Sequence, residues 1–150
     1  MSSAGPKSAS LADQIDNPFW EGLARDELLI QRCLGCRTWT WPPQWRCGCC
    51  GSWTLDWEPV PKRGVVFSYC RTRHVFGSQM QDSTPYTSLL VALPEAGGAR
   101  LLGMLIGSDQ GLEIDAPVEG VVDSSNVGPV LRWRLASSDS NERQNDAASS

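Results

Sequence analysis

Beyond residue 60 the apolar positions come in short runs separated by turn residues. Gly64-Val65-Val66-Phe67-Ser68-Tyr69-Cys70 is the first run, with a continuation toward Val75. Residues 86–93, 100–106, 118–122 and 130–135 are the others. Pro85, Gly97-Gly98, Gly107, Pro117 and Gly128-Pro129 punctuate them, which predicts five strands. Five short strands over this span suit a small closed antiparallel barrel, because closure removes the exposed sheet edges. A five-stranded OB-fold is the expected architecture. Earlier in the chain, residues 28–32 read as a further strand. Asn17-Pro18-Phe19-Trp20-Glu21-Gly22-Leu23 reads as a short helix, with Asn17 as N-cap and Pro18 at its first position. Phe19, Leu23 and Trp20 supply its apolar face, and Gly22 limits its length. The two ends, rich in Ser, Ala and polar residues, are expected to be disordered.

The segment between helix and barrel carries the chemistry. Cys33-Leu34-Gly35-Cys36 is followed by Cys47-Gly48-Cys49-Cys50-Gly51. Two residues between cysteines let one tight turn aim both sulfurs at one point. Two such turns complete a tetrahedral thiolate site, so Cys33, Cys36, Cys47 and Cys50 are the expected ligands of one structural zinc ion. Cys49 is expected to point away, since only the Cys47/Cys50 pair repeats the first spacing. Four thiolates leave no open position for substrate or water, which argues against a catalytic metal. Arg32, Arg37 and Arg46 lie near enough in sequence to offset the site's negative charge. Gly51 follows the second pair where such turns favour positive φ, whereas Arg37 follows the first. Cys70, mid-strand, is expected to be a small core residue.

Charge narrows the partners. The net charge is -4, but residues 21–73 carry eight basic and five acidic side chains, and residues 74–136 three basic and seven acidic. An acidic chain is a poor general binder of nucleic acid, whose affinity comes mostly from phosphate neutralisation. The basic zone can still hold a small anion. No apolar run approaches the roughly eighteen residues of a membrane span. The first ten residues lack the apolar stretch of a secretory signal, so a cytoplasmic location is expected.

Catalytic candidates are few. His74 is the single histidine, and there is no Gly-x-Ser-x-Gly and no Gly-rich phosphate loop. Trp39, Trp41, Trp45, Trp53 and Trp57 crowd the cysteine segment. They serve either as the core that a small ribbon lacks or as a docking surface, since Trp is favoured at interface hot spots.

The order of these motifs is distinctive. Phe19-Trp20-Glu21-Gly22-Leu23 leads into Gln31-Arg32-Cys33-Leu34-Gly35-Cys36. Trp41-Pro42-Pro43, the second cysteine group, Gly64-Val65-Val66-Phe67-Ser68-Tyr69, Pro85-Tyr86 and Leu101-Leu102-Gly103 follow. Over residues 17–136 the chain resembles the bacterial and archaeal acyl-CoA-associated proteins that join a rubredoxin-like zinc ribbon to a C-terminal OB-fold. Trp45-Arg46 stands where small residues or Pro are commoner in that family. Composition and motif order together divide the chain into residues 1–14 (tail), 15–32 (helix and strand), 33–58 (ribbon), 59–136 (OB-fold) and 137–150 (tail).

The resemblance implies an accessory role beside a thiolase-like or lipid-transfer-protein-like catalytic subunit, a thiolase or side-chain aldolase, in a two-plus-two heterotetramer. The complex would act on coenzyme A thioesters of fatty, sterol or aromatic acyl groups. Lys62, Arg63, Arg71 and Arg73 are the candidate contacts to coenzyme A phosphates. A hot-dog-fold acyl-CoA hydratase is the alternative partner. A stand-alone nucleic-acid module and a rubredoxin-type iron carrier are the competing classes.

Overall fold

Helix α1 (Asn17–Ala24) comes first in the computed structural model, which describes residues 15–74, 85–125 and 128–137. Its N-cap is Asp16, one residue earlier than expected, so Pro18 takes the second helical position. The Asp16 carbonyl accepts the amides of Phe19 and Trp20 at 3.0 and 3.4 Å. Its carboxylate accepts the Trp20 indole N–H at 3.0 Å instead of capping the backbone. Phe19 and Leu23 are buried, while Trp20 is 44% exposed. The helix stops because the chain turns left-handed at Asp26 (φ 61°). There the Glu27 amide reaches the Gly22 carbonyl and the Asp26 amide reaches that of Leu23, a paired closure that satisfies the last carbonyls. Gly22 is needed for packing: a Cβ there would lie 2.8 Å from Leu29 Cγ.

Three strands follow, β1 (Leu28–Cys33), β2 (Trp39–Thr40) and β3 (Leu55–Val60). They form an antiparallel sheet in the order β2-β1-β3. β1 and β3 pair along their whole length, from Leu28 opposite Val60 to Cys33 opposite Leu55.

The expected five runs are β4 (Arg63–Thr72), β5 (Tyr86–Leu93), β6 (Ala99–Met104), β7 (Pro117–Ser125) and β8 (Gly128–Leu135). β4 ends before Val75, which lies outside the described residues. The strand order is β6-β5-β4-β7-β8. A parallel bridge between Leu105 and Trp133 brings the two outer strands together, and the Ile106 amide donates to the Trp133 carbonyl at 2.7 Å. The sheet thus curls into a nearly closed five-stranded barrel, as expected.

Trp133 fills its middle and is wholly buried. Gly103 and Gly120 make room for it: a Cβ at 103 would lie 2.6 Å from the indole Cδ1, and one at 120 would lie 3.2 Å from Cζ3. Val66, Leu89, Val91, Leu101, Val118 and Leu131 pack with it. Phe19, Leu23, Leu28, Ile30 and Val60 belong to the same cluster, so helix, ribbon base and barrel share one core.

One expectation fails here. Cys70 is exposed. The pairing of β4 with β5 slips between Val66 and Ser68. Such a bulge adds one residue and reverses which side chains face inward. Val66 is buried before it, and Tyr69 packs on the core after it, which turns Cys70 outward.

Gly103→Ala is expected to destabilise the zinc-loaded protein by about 2 kcal/mol, because the new methyl overlaps the indole of a filled core. Gly98→Ala is the control. Gly98 has φ 79° but nothing within 4 Å of a Cβ, so its cost is only about 1 kcal/mol of backbone strain. Denaturant unfolding of both variants checks the difference.

Candidate metal centre

The two cysteine turns are built alike. In the first, the Cys33 amide donates to Thr38 O at 2.9 Å and the Arg37 amide to Cys33 O at 3.0 Å. In the second, the Cys47 amide donates to Ser52 O at 2.8 Å and the Gly51 amide to Cys47 O at 3.0 Å. The Gly35 amide points at Cys33 Sγ (3.3 Å), and the Cys49 amide at Cys47 Sγ (3.4 Å). Arg37 (φ 63°) and Gly51 (φ 76°) occupy equivalent left-handed positions. Arg37 therefore adopts the strained conformation that glycine takes without cost.

These turns bring the Sγ atoms of Cys33, Cys36, Cys47 and Cys50 within 4.8 Å of one another. Cys33–Cys50 and Cys36–Cys47 are each 3.6 Å apart. That is far beyond a disulfide bond of about 2.05 Å and close to the roughly 3.8 Å edge of a tetrahedron with zinc–sulfur bonds of about 2.3 Å. The four sulfurs fit a zinc ion. Cys33 and Cys47 are buried, and Cys49 is exposed and contributes only its amide.

The sulfurs are graded in acidity. Thr38, through its hydroxyl and its amide, lowers the Cys36 thiol to about 6. The Cys36 amide, helped by that of Gly35, lowers Cys33 against the effect of burial. Cys50 receives a bond from the Ser52 amide, yet the neighbouring Cys33 sulfur, burial and the other two cysteines push it up to about 11.

The nearby arginines brace the loops. Arg32 donates to Arg37 O at 2.8 Å, and Arg46 to Gly51 O at 2.7 Å. Arg32 and Arg37 both reach the Glu58 carboxylate, at 3.1 and 2.9 Å. Gln31, given no role in the sequence beyond its place before the first cysteine pair, is buried, and its amide closes a two-way bond with the Gln44 backbone at 2.9 and 2.8 Å. It anchors the connection between the cysteine turns, which contains a cis Trp41–Pro42 bond. A buried Gln paired to a loop backbone leaves no spacing signal.

The tryptophans divide. Trp39, Trp41 and Trp57 pack against the shared core, while Trp45 (54% exposed) and Trp53 (71%) do not. Arg46 lies over the Trp53 ring.

The four cations suggested for coenzyme A do not converge. Lys62 is held by the Asp26 carboxylate and carbonyl. Arg63 pairs in two-pronged fashion with Glu95 at 3.0 and 3.2 Å. Arg71 pairs with Asp109 at 3.3 Å, with Arg73 beyond it on the same strand exit. Arg71 lies eight positions beyond Arg63 on β4, roughly 25 Å at the usual rise. His74 is exposed just past β4. Among the described residues no helix is long and apolar enough to cross a membrane.

Comparison with known families decides the kinship. The family "ChsH2, rubredoxin-like zinc ribbon domain" matches residues 20–56, and "ChsH2, C-terminal OB-fold domain" matches residues 57–123. The chain belongs to the ChsH2 zinc-ribbon/OB-fold family. It is similar to a chain of the solved structure "Ltp2-ChsH2(DUF35) aldolase", with TM-score 0.73 and 28% identity, covering 83% of this chain and 96% of that one. A DUF35-family protein of unknown function from Sulfolobus solfataricus shares the fold, with TM-score 0.57 and 17% identity, over 85% of this chain and 87% of that one. A curated relative from Thermomonospora curvata, named "Probable enoyl-CoA hydratase alpha subunit", is 38% identical over 120 residues. Those residues are 77% of this chain but 35% of that relative, so the chain spans about a third of its length.

Metal analysis of variants tests the ligand set. Cys49→Ser is expected to retain one zinc per chain, and Cys50→Ser to lose it with most of the ribbon's stability. Zinc affinity is expected to fall with pH. Binding near neutrality must expel at least the Cys50 proton, so chelator competition should show about tenfold weaker binding for each pH unit lowered.

Proposed function

We propose that this ChsH2-family chain is a non-catalytic accessory subunit of a thiolase-superfamily enzyme acting on acyl-CoA thioesters. The fold-wide likeness to a chain of the Ltp2-ChsH2(DUF35) aldolase carries the reading, since it spans nearly all of that chain at 28% identity. The metal chemistry agrees with it. A site of four thiolates offers no exchangeable position, so its zinc would order the ribbon and take no part in bond making. The partner subunit supplies the groups that make or break the carbon–carbon bond, by thiolysis or retro-aldol cleavage. This chain supplies an interface and a wall of the acyl-CoA pocket, in a cytoplasmic two-plus-two assembly.

Arg71 and Arg73 are the better placed of the four cations for coenzyme A phosphates. Lys62 and Arg63 are already committed to Asp26 and Glu95, whereas Arg71 lies over the Tyr69 ring and pairs with Asp109 at 3.3 Å through one nitrogen among the described residues.

A hydratase partner is the second reading. It rests on the curated relative, in which a segment like this one makes up about a third of a longer subunit.

Co-expression with candidate catalytic subunits, followed by assay of the complex and of each separated chain, tests the proposal. The isolated chain is expected to turn over no acyl-CoA thioester, and the complex to do so. Arg71→Ala with Arg73→Ala is expected to raise KM for the thioester about tenfold with little change in kcat, because it removes ground-state binding alone. Full turnover by the isolated chain contradicts the accessory role. Hydration of an enoyl-CoA by the complex selects the second reading.

A further inference from the structure

Accessible and buried sulfurs are matched across the two cysteine turns. Cys33 and Cys47 are buried, Cys50 is exposed and Cys36 is partly exposed. Each 3.6 Å sulfur contact joins one of each kind and runs from one turn to the other, Cys50 with Cys33 and Cys36 with Cys47. The Gly35 backbone lies over the first pair, where a Cβ would be 3.5 Å from both sulfurs. To bond, each pair must close by roughly 1.5 Å, to a length of about 2.05 Å. Side-chain rotation covers that distance.

The approach of the two turns does not rest on the sulfurs alone. The Leu34 amide donates to Thr54 O at 3.0 Å, which ties the first turn to the segment leaving the second. Cys33 is fixed at the end of β1, opposite Leu55 on β3. Arg32 and Arg37 both reach Glu58 on β3. These contacts hold the turns face to face while the sulfurs change their bonding.

We propose that the four cysteines form a redox switch with two closed states: a zinc tetrathiolate, and a metal-free pair of cross-turn disulfides, Cys33–Cys50 and Cys36–Cys47, with hydrogen peroxide as the oxidant. One peroxide oxygen passes to the accessible Cys50 sulfur as the O–O bond breaks, giving a sulfenic acid, and the other oxygen leaves as water. The buried Cys33 sulfur then attacks the Cys50 sulfur. The S–S bond forms, and the sulfenic oxygen leaves as a second water. Cys36 and Cys47 follow the same course. In sum, the zinc tetrathiolate, two peroxides and four protons give two disulfides, a free zinc dication and four waters. Sulfur is oxidised and peroxide oxygen is reduced. A buried partner sulfur beside each accessible one captures the sulfenic acid before it passes to the irreversible sulfinic acid. Bonds within each turn would leave the two turns unlinked. Cross-turn bonds keep the link that the metal makes, so the ribbon keeps its shape, and a dithiol reverses the change by exchange.

Peroxide titration of the zinc-loaded full chain tests the proposal, on the unchanged chain and on one carrying Cys49→Ser with Cys70→Ser. Released zinc is read with a colorimetric chelator, and the bonds by tandem mass spectrometry of non-reduced peptides. Both chains are expected to lose their zinc. The variant should consume about two peroxides per ion released. Cys33–Cys50 and Cys36–Cys47 should be the bonds found in both. The oxidised variant should melt about 10 °C or more above the same chain reduced and stripped of zinc by chelator. Dithiothreitol with added zinc should restore one zinc per chain. Bonds within the turns, Cys33–Cys36 and Cys47–Cys50, overturn the proposal, as does a bond to Cys49 in the unchanged chain. Sulfinic acids at the four positions, disulfides between chains, or zinc retained at a peroxide excess that fully oxidises Cys49 and Cys70 also overturn it. An oxidised form that melts no higher than the stripped, reduced chain removes the second closed state.

Discussion

Four sulfur atoms within 4.8 Å of one another set the terms for the first third of the fold. Left as thiolates they would repel; without a metal, hydrogen bonding to the Cys33 sulfur together with burial holds the proton on Cys50, pushed up to about 11. A bound zinc ion reverses it and contributes on the order of 10 kcal/mol to folding. The consequence travels along the backbone. Cys33 ends β1 opposite Leu55 on β3, so fixing the sulfurs fixes the register of the ribbon sheet. The other end of that sheet, at Leu28, Ile30 and Val60, lies in the same apolar cluster as Trp133. Ribbon and barrel are thus linked through one core, although the four sulfurs lie at the opposite end of the ribbon sheet.

Much of this was legible in the chain. Repeated two-residue spacing named the four cysteines whose sulfurs converge and set Cys49 aside, because tetrahedral geometry allows few alternatives. Apolar runs between turn residues named all five barrel strands. What escaped depends on contacts between distant segments. Gly22 and Gly103 look like weak points within their elements, yet each is a place where Leu29 or Trp133 approaches too closely for a side chain. Cys70 was misplaced because a bulge reverses the strand's faces, and a bulge within a continuous apolar run leaves no mark. Asn17 is as good a cap as Asp16 by composition. The choice fell to Asp16, whose carboxylate also meets the Trp20 indole. The arginines near the cysteines, expected to balance charge, turn out to hold loop carbonyls and Glu58 as well.

The same organisation bears on function. The described residues show a half-buried cysteine centre, a core filled by Trp133 and an apolar groove between β6, β8 and the helix, with His74 exposed and remote from the sulfurs in sequence. Such a chain is equipped to hold a shape against another protein. Its aromatic residues serve two ends: Trp39, Trp41 and Trp57 support the ribbon from within, while Trp20, Trp45 and Trp53 remain available at the surface.

The central claim is that the metal orders a surface and does not touch the reaction. Replacing zinc by cadmium in the assembled complex tests it most directly, because a closed thiolate site accepts the larger, softer ion while a catalytic site changes its chemistry. The account expects one cadmium per chain and kcat for the acyl-CoA thioester within about twofold of the zinc form. A loss of turnover by orders of magnitude in a complex that remains assembled would contradict it.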